Sequence, residues 1–216
     1  RGYWMLQNPS GVKFGYGSQA NKAFWVDINV AGPKVTTTTI TADTPDPSTP
    51  GQAVAVSVTV SGAGAAPTGT VAITGAYTNC TITLSGGIGS CNVVFNTAGT
   101  ETLTATYNGD ANYAGSSYTE SHSVKYATTT TITADLPDPS AAGGTVTVSV
   151  TVSGGSGYPS GTVVITGADT NCTITLAGGS GSCDVVFSAT GTFTLTATYS
   201  GDANYFRQSS EDSRGG

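Results

Sequence analysis

Apolar and polar residues alternate through most of the chain, in short runs separated by Gly, Pro, Asn and Asp. This period of two predicts half-buried β-strands. Between Asn79 and Asn96, two such runs flank a Gly-rich reversal, which predicts a β-hairpin. The apolar faces of its two arms are formed by Cys80, Ile82 and Leu84 and by Cys91, Val93 and Phe95.

The cysteines of this predicted hairpin favour a disulfide. A reversal centred between Ser85 and the next glycine places Cys80 opposite Cys91, close enough for a cross-strand bond. The same pattern returns with Cys172 and Cys183. The chain has a single histidine and no C-x-x-C spacing, which argues against zinc. We therefore predict the disulfides Cys80–Cys91 and Cys172–Cys183 and an extracellular or cell-surface location of an exported protein.

Composition narrows the class of protein. Of the 216 residues only 9% are charged, the net charge is −6, and the usual helix formers are scarce, so we expect an all-β chain. The few basic residues form no patch for nucleic acid, and no apolar run reaches the length of a membrane span. The chain begins at Arg1 with no signal peptide, so we expect a processed product or an excised segment.

A long internal repeat divides the chain. Residues Thr36–Tyr113 align without a gap to Thr128–Tyr205, with roughly three-quarters of the positions identical. Seven strands are predicted in the first copy, at the spacing typical of an immunoglobulin-like (Ig-like) sandwich. We therefore predict a β-rich N-terminal extension at 1–34 and two tandem Ig-like domains at 35–125 and 126–216. The predicted strands span residues 35–42, 53–61, 69–75, 79–84, 90–96, 101–107 and 117–125.

The motifs GTVAITG and TATYNGDANY of the first copy, and GTVVITG and TATYSGDANY of the second, resemble the group 3 type of bacterial Ig-like repeats. The resemblance covers residues 35–205. It implies a stalk or spacer in secreted and surface proteins of bacteria. The paired cysteines depart from that family's usual pattern. The short connection through Lys125 and Tyr126 predicts a stiff junction between the two domains.

The extension shows a second, shorter resemblance. Residues 11–34, GVKFGYGSQANKAFWVDINVAGPK, are similar to the C-terminal part of type IV pilin and pseudopilin heads. This resemblance implies a hydrophobic N-terminal pilin helix, which the sequence does not contain. Such a helix would have been removed or would belong to another chain. The last of three predicted extension strands, Phe24–Val30, is the clearest. Its predicted subunit-contact residues are Phe24, Trp25, Val26, Ile28 and Val30.

The end of the chain predicts an incomplete second domain. After GDANY the first copy continues into a plausible strand, whereas the second continues into FRQSSEDSRGG, which has almost no apolar residue after Phe206. A missing last strand would leave an open edge. We therefore expect the extension of one copy to fill the gap in the next, which would build a head-to-tail filament. The alternative is that the second domain closes imperfectly and its tail is frayed.

Candidate chemistry is sparse. The same aspartates recur in both copies, and their oxygen atoms at one end of each sandwich could hold Ca²⁺. An aspartate beside Pro or Gly, however, more often caps a turn through the backbone. His122, with Arg214 as its counterpart in the second copy, is predicted to be a surface strand residue with no catalytic partner. We expect no enzyme, no cofactor and no metal. The calcium candidates are Asp43, Asp46, Asp110, Asp135, Asp138 and Asp202.

Three functions remain open at this point. The first is a structural subunit or segment of an extracellular filament, pilus or adhesin stalk, whose partners are copies of itself or another surface or pilin chain. The second is an adhesin or carbohydrate-binding module, with aromatic residues of the extension stacking on sugars. The third is an Ig-like spacer within a larger secreted enzyme. The aromatic residues are Tyr3, Trp4, Tyr16, Phe24 and Trp25.

Overall fold

The computed structural model describes residues 2–4, 6–7, 9–10, 13–14, 24–26 and 32–214. These residues form strands, turns and loops, and none of them is helical. The chain divides into two compact units, Arg1–Lys34 and Val35–Gly216. The prediction of an all-β chain is confirmed.

Among its described residues, the N-terminal unit contains four short strands. Strand β1 (Gly2–Trp4) pairs antiparallel with β4 (Phe24–Val26), and β2 (Leu6–Gln7) pairs with β3 (Lys13–Phe14). Three of the five predicted contact residues, Phe24 to Val26, therefore lie on a strand paired within its own unit. Ile28 and Val30 lie outside the described residues, so their predicted role stays a prediction.

The first repeat folds into seven strands in two sheets. One sheet has the order β5-β6-β9 and the other β11-β10-β7-β8, all antiparallel. Every strand predicted for this copy is present, with ends shifted by a few residues. The strands are β5 (Thr36–Thr44), β6 (Ala53–Gly62), β7 (Thr70–Thr74), β8 (Cys80–Thr83), β9 (Ile88–Val94), β10 (Gly99–Tyr107) and β11 (Ser116–Val124).

The second repeat forms the same sandwich, with sheets β12-β13-β16 and β15-β14-β17-β18. Both copies carry an irregularity in their first strand, between Ile40 and Ala42 and between Ile132 and Ala134. The strands are β12 (Thr129–Leu136), β13 (Thr145–Ser153), β14 (Thr162–Thr166), β15 (Cys172–Thr175), β16 (Ser180–Val186), β17 (Phe193–Tyr199) and β18 (Gln208–Arg214).

The prediction that the second domain lacks its last strand is wrong. Residues Gln208–Arg214 form β18, which pairs with β17 over seven positions, from Tyr199 opposite Gln208 to Phe193 opposite Arg214. A ladder of backbone hydrogen bonds needs no apolar side chain, and β17 supplies a regular partner for QSSEDSR. The edge that was expected to accept a strand from another copy is therefore occupied.

The predicted hairpin from Asn79 to Asn96 also needs correction. The two glycines after Ser85, Gly86 and Gly87, have φ angles of 63° and 80° and form the tight turn, one residue later than predicted. Strand β8 then lies at the edge of one sheet and β9 at the edge of the other. The two arms thus cross from sheet to sheet and do not form one two-stranded ladder.

Each sandwich has its own core between its sheets. Alternate residues of the strands point inward, as in β6, where Val54, Val56, Val58 and Val60 are buried. The second core repeats the first, but the equivalent phenylalanines contact different rings. Phe95 of the first copy stacks on His122, whereas Phe187 of the second packs against Phe193. The identical valine pattern explains why two copies with different loops adopt one fold.

The junction between the sandwiches leaves no free linker. The Lys125 N–H donates to Ser48 O of the first sandwich at 2.8 Å, and the next N–H, of Tyr126, donates to Asn204 O of the second at 2.8 Å. The Lys125 Nζ also donates to the carbonyl of Asp202 at 2.7 Å. Consecutive residues are therefore fixed to different domains.

Candidate functional site

The disulfides close one side of each sandwich. Cys80 on β8 is bonded to Cys91 on β9, with 6.3 Å between their Cα atoms, and Cys172 is bonded to Cys183 in the same position of the second copy. Both predicted pairings are confirmed. Because β8 and β9 are edge strands of different sheets, each disulfide joins the two sheets and not two strands of one hairpin.

The GDANY motifs form loop caps. The Asp110 Oδ2 atom accepts bonds from the backbone N–H and the hydroxyl of Thr68, at 2.9 and 2.8 Å, and Oδ1 accepts from the N–H groups of Asn112 and Tyr113. These bonds, led by the Thr68 N–H, lower the pKa of Asp110 to about 2. Asp202 makes equivalent bonds to Ser160 and Asn204.

The GDANY tyrosines anchor a further loop. The Tyr113 hydroxyl donates to the carbonyls of Ala63 and Ala65, and the Tyr205 hydroxyl donates to Ser156 O at 2.5 Å. Both rings are almost fully buried. The motif therefore ties the end of the sixth strand of each copy to the loop after the second, which is a structural task.

A buried polar cluster closes the opposite side of the first sandwich, where β5 and β11 face each other. His122 on β11 is fully buried, so the prediction of a surface histidine is wrong. Its Nδ1 lies 2.8 Å from Asp43 Oδ2 and 3.6 Å from Asp46 Oδ1, and its Nε2 lies 2.8 Å from the hydroxyl of Ser48, which is also fully buried. Alternation along β11 could have revealed this, because His122 and the buried Val124 share one face.

The backbone positions the members of the cluster. The connection after β5 runs beside β11, where the Ser48 N–H donates to Ser123 O at 3.0 Å and the Ser123 N–H donates to Asp46 Oδ1 at 2.8 Å. The ring of Phe95 stacks on His122 with centroids 4.5 Å apart and an interplanar angle of 9°. The imidazole is therefore fixed at both nitrogens and on one face.

Glu120 extends the cluster toward solvent. It lies two residues before His122 on β11, and one of its carboxylate oxygens is buried and has no hydrogen-bond partner among the described residues. Burial, followed by the charges of Asp43 and Asp46, raises the pKa of Glu120 above its usual value. Glu120 is therefore a carboxyl group that interacts with the two aspartates of the cluster.

The cluster has the connectivity of a serine–histidine–aspartate triad. The nucleophile, base and orienting carboxylate of such a triad are joined by hydrogen bonds of this length. However, Ser48 and His122 are both fully buried, so no substrate could approach the hydroxyl in this conformation. The arrangement therefore acts first as a polar link between β5 and β11.

The calcium candidates do not form one kind of site. Asp110 and Asp202 cap their own loops, whereas Asp43 and Asp46 belong to the cluster around His122. Asp135 and Asp138 occupy the equivalent positions of the second copy, where Arg214 replaces the histidine. Sequence reasoning therefore found the acidic part of the cluster and missed Ser48, His122 and Glu120.

A shallow cavity of about 510 Å³ lies elsewhere on the first sandwich. It is lined by residues of β5, β6 and β9, and none of the lining residues is titratable. The cavity therefore offers no acid–base or metal chemistry. Its lining residues are Thr41, Ser57, Val58, Thr59, Ile88, Gly89 and Ser90.

These observations define a tandem Ig-like β-sandwich protein with one disulfide across each sandwich. A family model described as bacterial Ig-like domain (group 3) matches residues 40–126 and 132–214. The chain therefore belongs to that family, and the resemblance read from its motifs is confirmed. The family matches begin at residue 40 and give no support to the pilin-head resemblance of residues 11–34.

Several solved structures are similar to this chain, at low sequence identity and with TM-scores below 0.5. The fibronectin(III)-like modules of Clostridium thermocellum CbhA are 16% identical, with coverage of 81% of this chain and 92% of that one and a TM-score of 0.45. A Ca²⁺-stabilized adhesin with which an Antarctic bacterium binds ice is 24% identical, with coverage of 99% and 55% and a TM-score of 0.37. Salmonella alpha-2-macroglobulin is 14% identical, with coverage of 98% and 19% and a TM-score of 0.34. No curated protein sequence gives a significant match.

The two disulfides and the bacterial Ig-like family indicate an extracellular protein. Among the residues that the structure describes, no helix could cross a lipid bilayer.

Proposed function

We propose that the chain is a structural segment of an exported bacterial protein, in which the two sandwiches act together as one stiff spacer. The hydrogen bonding at the junction carries this proposal. Lys125 and Tyr126 are adjacent, yet the backbone of the first bonds to Ser48 and the backbone of the second to Asn204. Rotation between the domains would break one of these bonds or the contact of Lys125 Nζ with Asp202 O.

The disulfides support the same function. Each one joins the edges of two sheets, and on the opposite side the first sandwich is joined by the cluster around His122. A domain linked on both sides resists separation of its sheets, which is useful in a segment that transmits force. The stalk of a surface adhesin or filament is the setting that we propose for it.

We do not propose an enzyme. Domains of the bacterial Ig-like type are typically non-catalytic, and the Ser48 hydroxyl is enclosed in the first sandwich. The use of the chain as a spacer within a larger secreted enzyme remains compatible with a stiff segment.

Residual dipolar couplings test the stiffness directly. In a weakly aligning medium, we expect the amide couplings of both sandwiches to fit one alignment tensor. The matched control is an insertion of Gly-Ser-Gly-Ser between Lys125 and Tyr126, which should produce two different tensors while each sandwich stays folded. Two different tensors in the unmodified chain would refute the proposal.

Self-association needs its own test. Copies of this chain, or another surface or pilin chain, are the partners expected from the sequence, but β18 fills the edge at which strand donation was expected. Sedimentation velocity over a wide concentration range, with negative-stain microscopy, separates the functions. A spacer stays monomeric, whereas polymers that vanish on deletion of residues 1–34 would favour a filament subunit. Retention of a monomer on carbohydrate, lost in Trp25→Ala, would favour a binding module.

A further inference from the structure

The side chains between β5 and β11 bring metal-ligand atoms together in the first sandwich. One ligand atom from each of His122, Asp43 and Asp46 lies within 4.8 Å of the other two. Zinc binds imidazole nitrogen and carboxylate oxygen at about 2.0–2.2 Å, so ligand atoms in a tetrahedral site lie about 3.4 Å apart. The separations of 2.8 and 3.6 Å from Nδ1 to the two carboxylates bracket that value.

Glu120 is a neighbouring carboxyl group outside this set of three ligands. It lies on the same face of β11 as His122, and its buried carboxylate oxygen has no hydrogen-bond partner among the described residues. Within those residues, the ion pairs of Asp43 and Asp46 are both with His122. The two aspartates beside one imidazole therefore leave an excess of negative charge in a partly buried place, which a divalent cation would compensate.

We propose that His122, Asp43 and Asp46 form a binding site for a divalent transition-metal ion, with Zn²⁺ as the best-fitting ion. The ion would replace the proton that His122 Nδ1 shares with Asp43. The other ring nitrogen would then carry its hydrogen and donate it to the Ser48 hydroxyl, which lies 2.8 Å away. Such a bond to the second nitrogen is the usual support of a metal-binding histidine.

The ligand set favours Zn²⁺ over Ca²⁺. Calcium takes six to eight oxygen ligands, whereas this site offers one nitrogen and carboxylates from two residues. Stacking on Phe95 fixes the plane of the imidazole before any metal binds. The nitrogen donor is therefore already oriented toward the two aspartates.

The second sandwich is a built-in control. It keeps the aspartates as Asp135 and Asp138 but has Arg214 in place of His122 and Asp212 in place of Glu120. An arginine side chain is a cation and does not ligate a metal. The proposal therefore requires one metal ion per chain, in the first sandwich only.

Isothermal titration of the intact chain with ZnCl₂ tests the site. We expect one Zn²⁺ per chain, a rise in the melting temperature of the first sandwich, and much weaker binding of Ca²⁺. His122→Gln should weaken Zn²⁺ binding by about 100-fold or more, because it removes the nitrogen donor. The matched variant Asp138→Asn, in the second sandwich, should leave the affinity unchanged within about twofold.

Amide spectra of the metal-free variants show whether they are folded. Should His122→Gln fail to fold, Asp46→Asn takes its place, because Asp46 is 38% exposed and tolerates replacement more readily. It should weaken Zn²⁺ binding by at least about tenfold. No saturable binding at millimolar Zn²⁺, equal affinity in the folded variant, or Ca²⁺ binding as tight as Zn²⁺ would overturn the proposal.

Discussion

Single carboxylates stabilise this protein through backbone hydrogen bonds, and Asp110 is the clearest case. Its folded-state pKa of about 2 lies below the usual value for Asp because the N–H groups of Thr68, Asn112 and Tyr113 donate to the ionised form. A lowered pKa in the folded state adds stability above the unfolded-state pKa of about 3.9, and this stability is lost as the pH falls toward 2.

We therefore expect Asp110→Asn to reduce the acid sensitivity of the first sandwich. The free energy of unfolding should fall less between pH 4 and pH 2 in the variant than in the unmodified chain, because the asparagine does not titrate. Urea unfolding at a series of pH values measures this difference. Glu211→Gln, at an exposed position of β18, is the control and should follow the unmodified chain. An unchanged pH dependence in Asp110→Asn would contradict the assignment.

The buried cluster leads to a second prediction for a single residue. Ser48→Ala leaves the Nε2 atom of the fully buried His122 without its partner, so we expect a loss of about 1–3 kcal/mol in the stability of the first sandwich. Ser90→Ala, on the exposed side of β9, should change stability by less than about 0.5 kcal/mol. Thermal and urea unfolding of the metal-free chain provide the comparison. Equal effects of the two substitutions would mean that the hydrogen bond to His122 contributes little.

Among the elements, the edge strands β8 and β9 depend on the disulfide that joins them. The loop that it closes is short, with a sequence separation of 11 residues, and such a bond is worth about 3 kcal/mol in the chain-entropy model. The double variant Cys80→Ser, Cys91→Ser should therefore destabilise the first sandwich by about that amount and leave the second nearly unchanged.

The second disulfide provides a matched experiment. Cys172→Ser with Cys183→Ser should lower the melting transition of the second sandwich in the same way, since both disulfides have the same place in their sandwiches. Differential scanning calorimetry of both double variants assigns the transitions. A shift of both transitions by either variant would show that the sandwiches unfold together and would contradict the expected independence.

The strands were largely predictable from the sequence, whereas their distribution between sheets was not. Alternation located β5 to β11, and the repeat transferred them to the second copy. Apolar and polar residues alternate in the same way whether two strands pair in one sheet or face each other across a core. The sequence could therefore not show that β8 and β9 lie in different sheets. The strand QSSEDSR was not predicted because it has no apolar residue. Its ladder with β17 depends on backbone groups, which leave no trace in the pattern of side chains.

The candidate site was harder to predict than the strands. Its members come from β5, from the loop after β5 and from β11. More than 70 residues of the chain separate His122 on β11 from Asp43 and Ser48. Alternation places His122 on the inner face of β11, yet it does not show that Ser48 and Asp43 meet it there. Only the pairing of the β5–β6 connection with β11 brings them together.

At the scale of the whole molecule, the two sandwiches are joined through the hydrogen bonds of two consecutive backbone N–H groups. The Lys125 N–H belongs to the first domain by its bond to Ser48 O, and the Tyr126 N–H belongs to the second by its bond to Asn204 O. The Lys125 Nζ donates to Asp202 O and so adds a further bond between this residue and the second sandwich. The stiffness that we propose for the junction therefore depends on Lys125, which follows the last strand of the first sandwich.

Lys125→Met removes the Nζ contact and keeps both backbone bonds possible. We expect a loss of about 1 kcal/mol at this partly buried contact, so hydrogen exchange of the Tyr126 amide should become about fivefold faster. The neighbouring Lys125 amide is the internal control, because its acceptor Ser48 O lies in the first sandwich and its exchange should not change. Lys125→Arg keeps a donor and should restore part of the protection. Equal acceleration of both amides would mean that the side chain stabilises the linker as a whole, and would remove the reason for assigning it to the second sandwich.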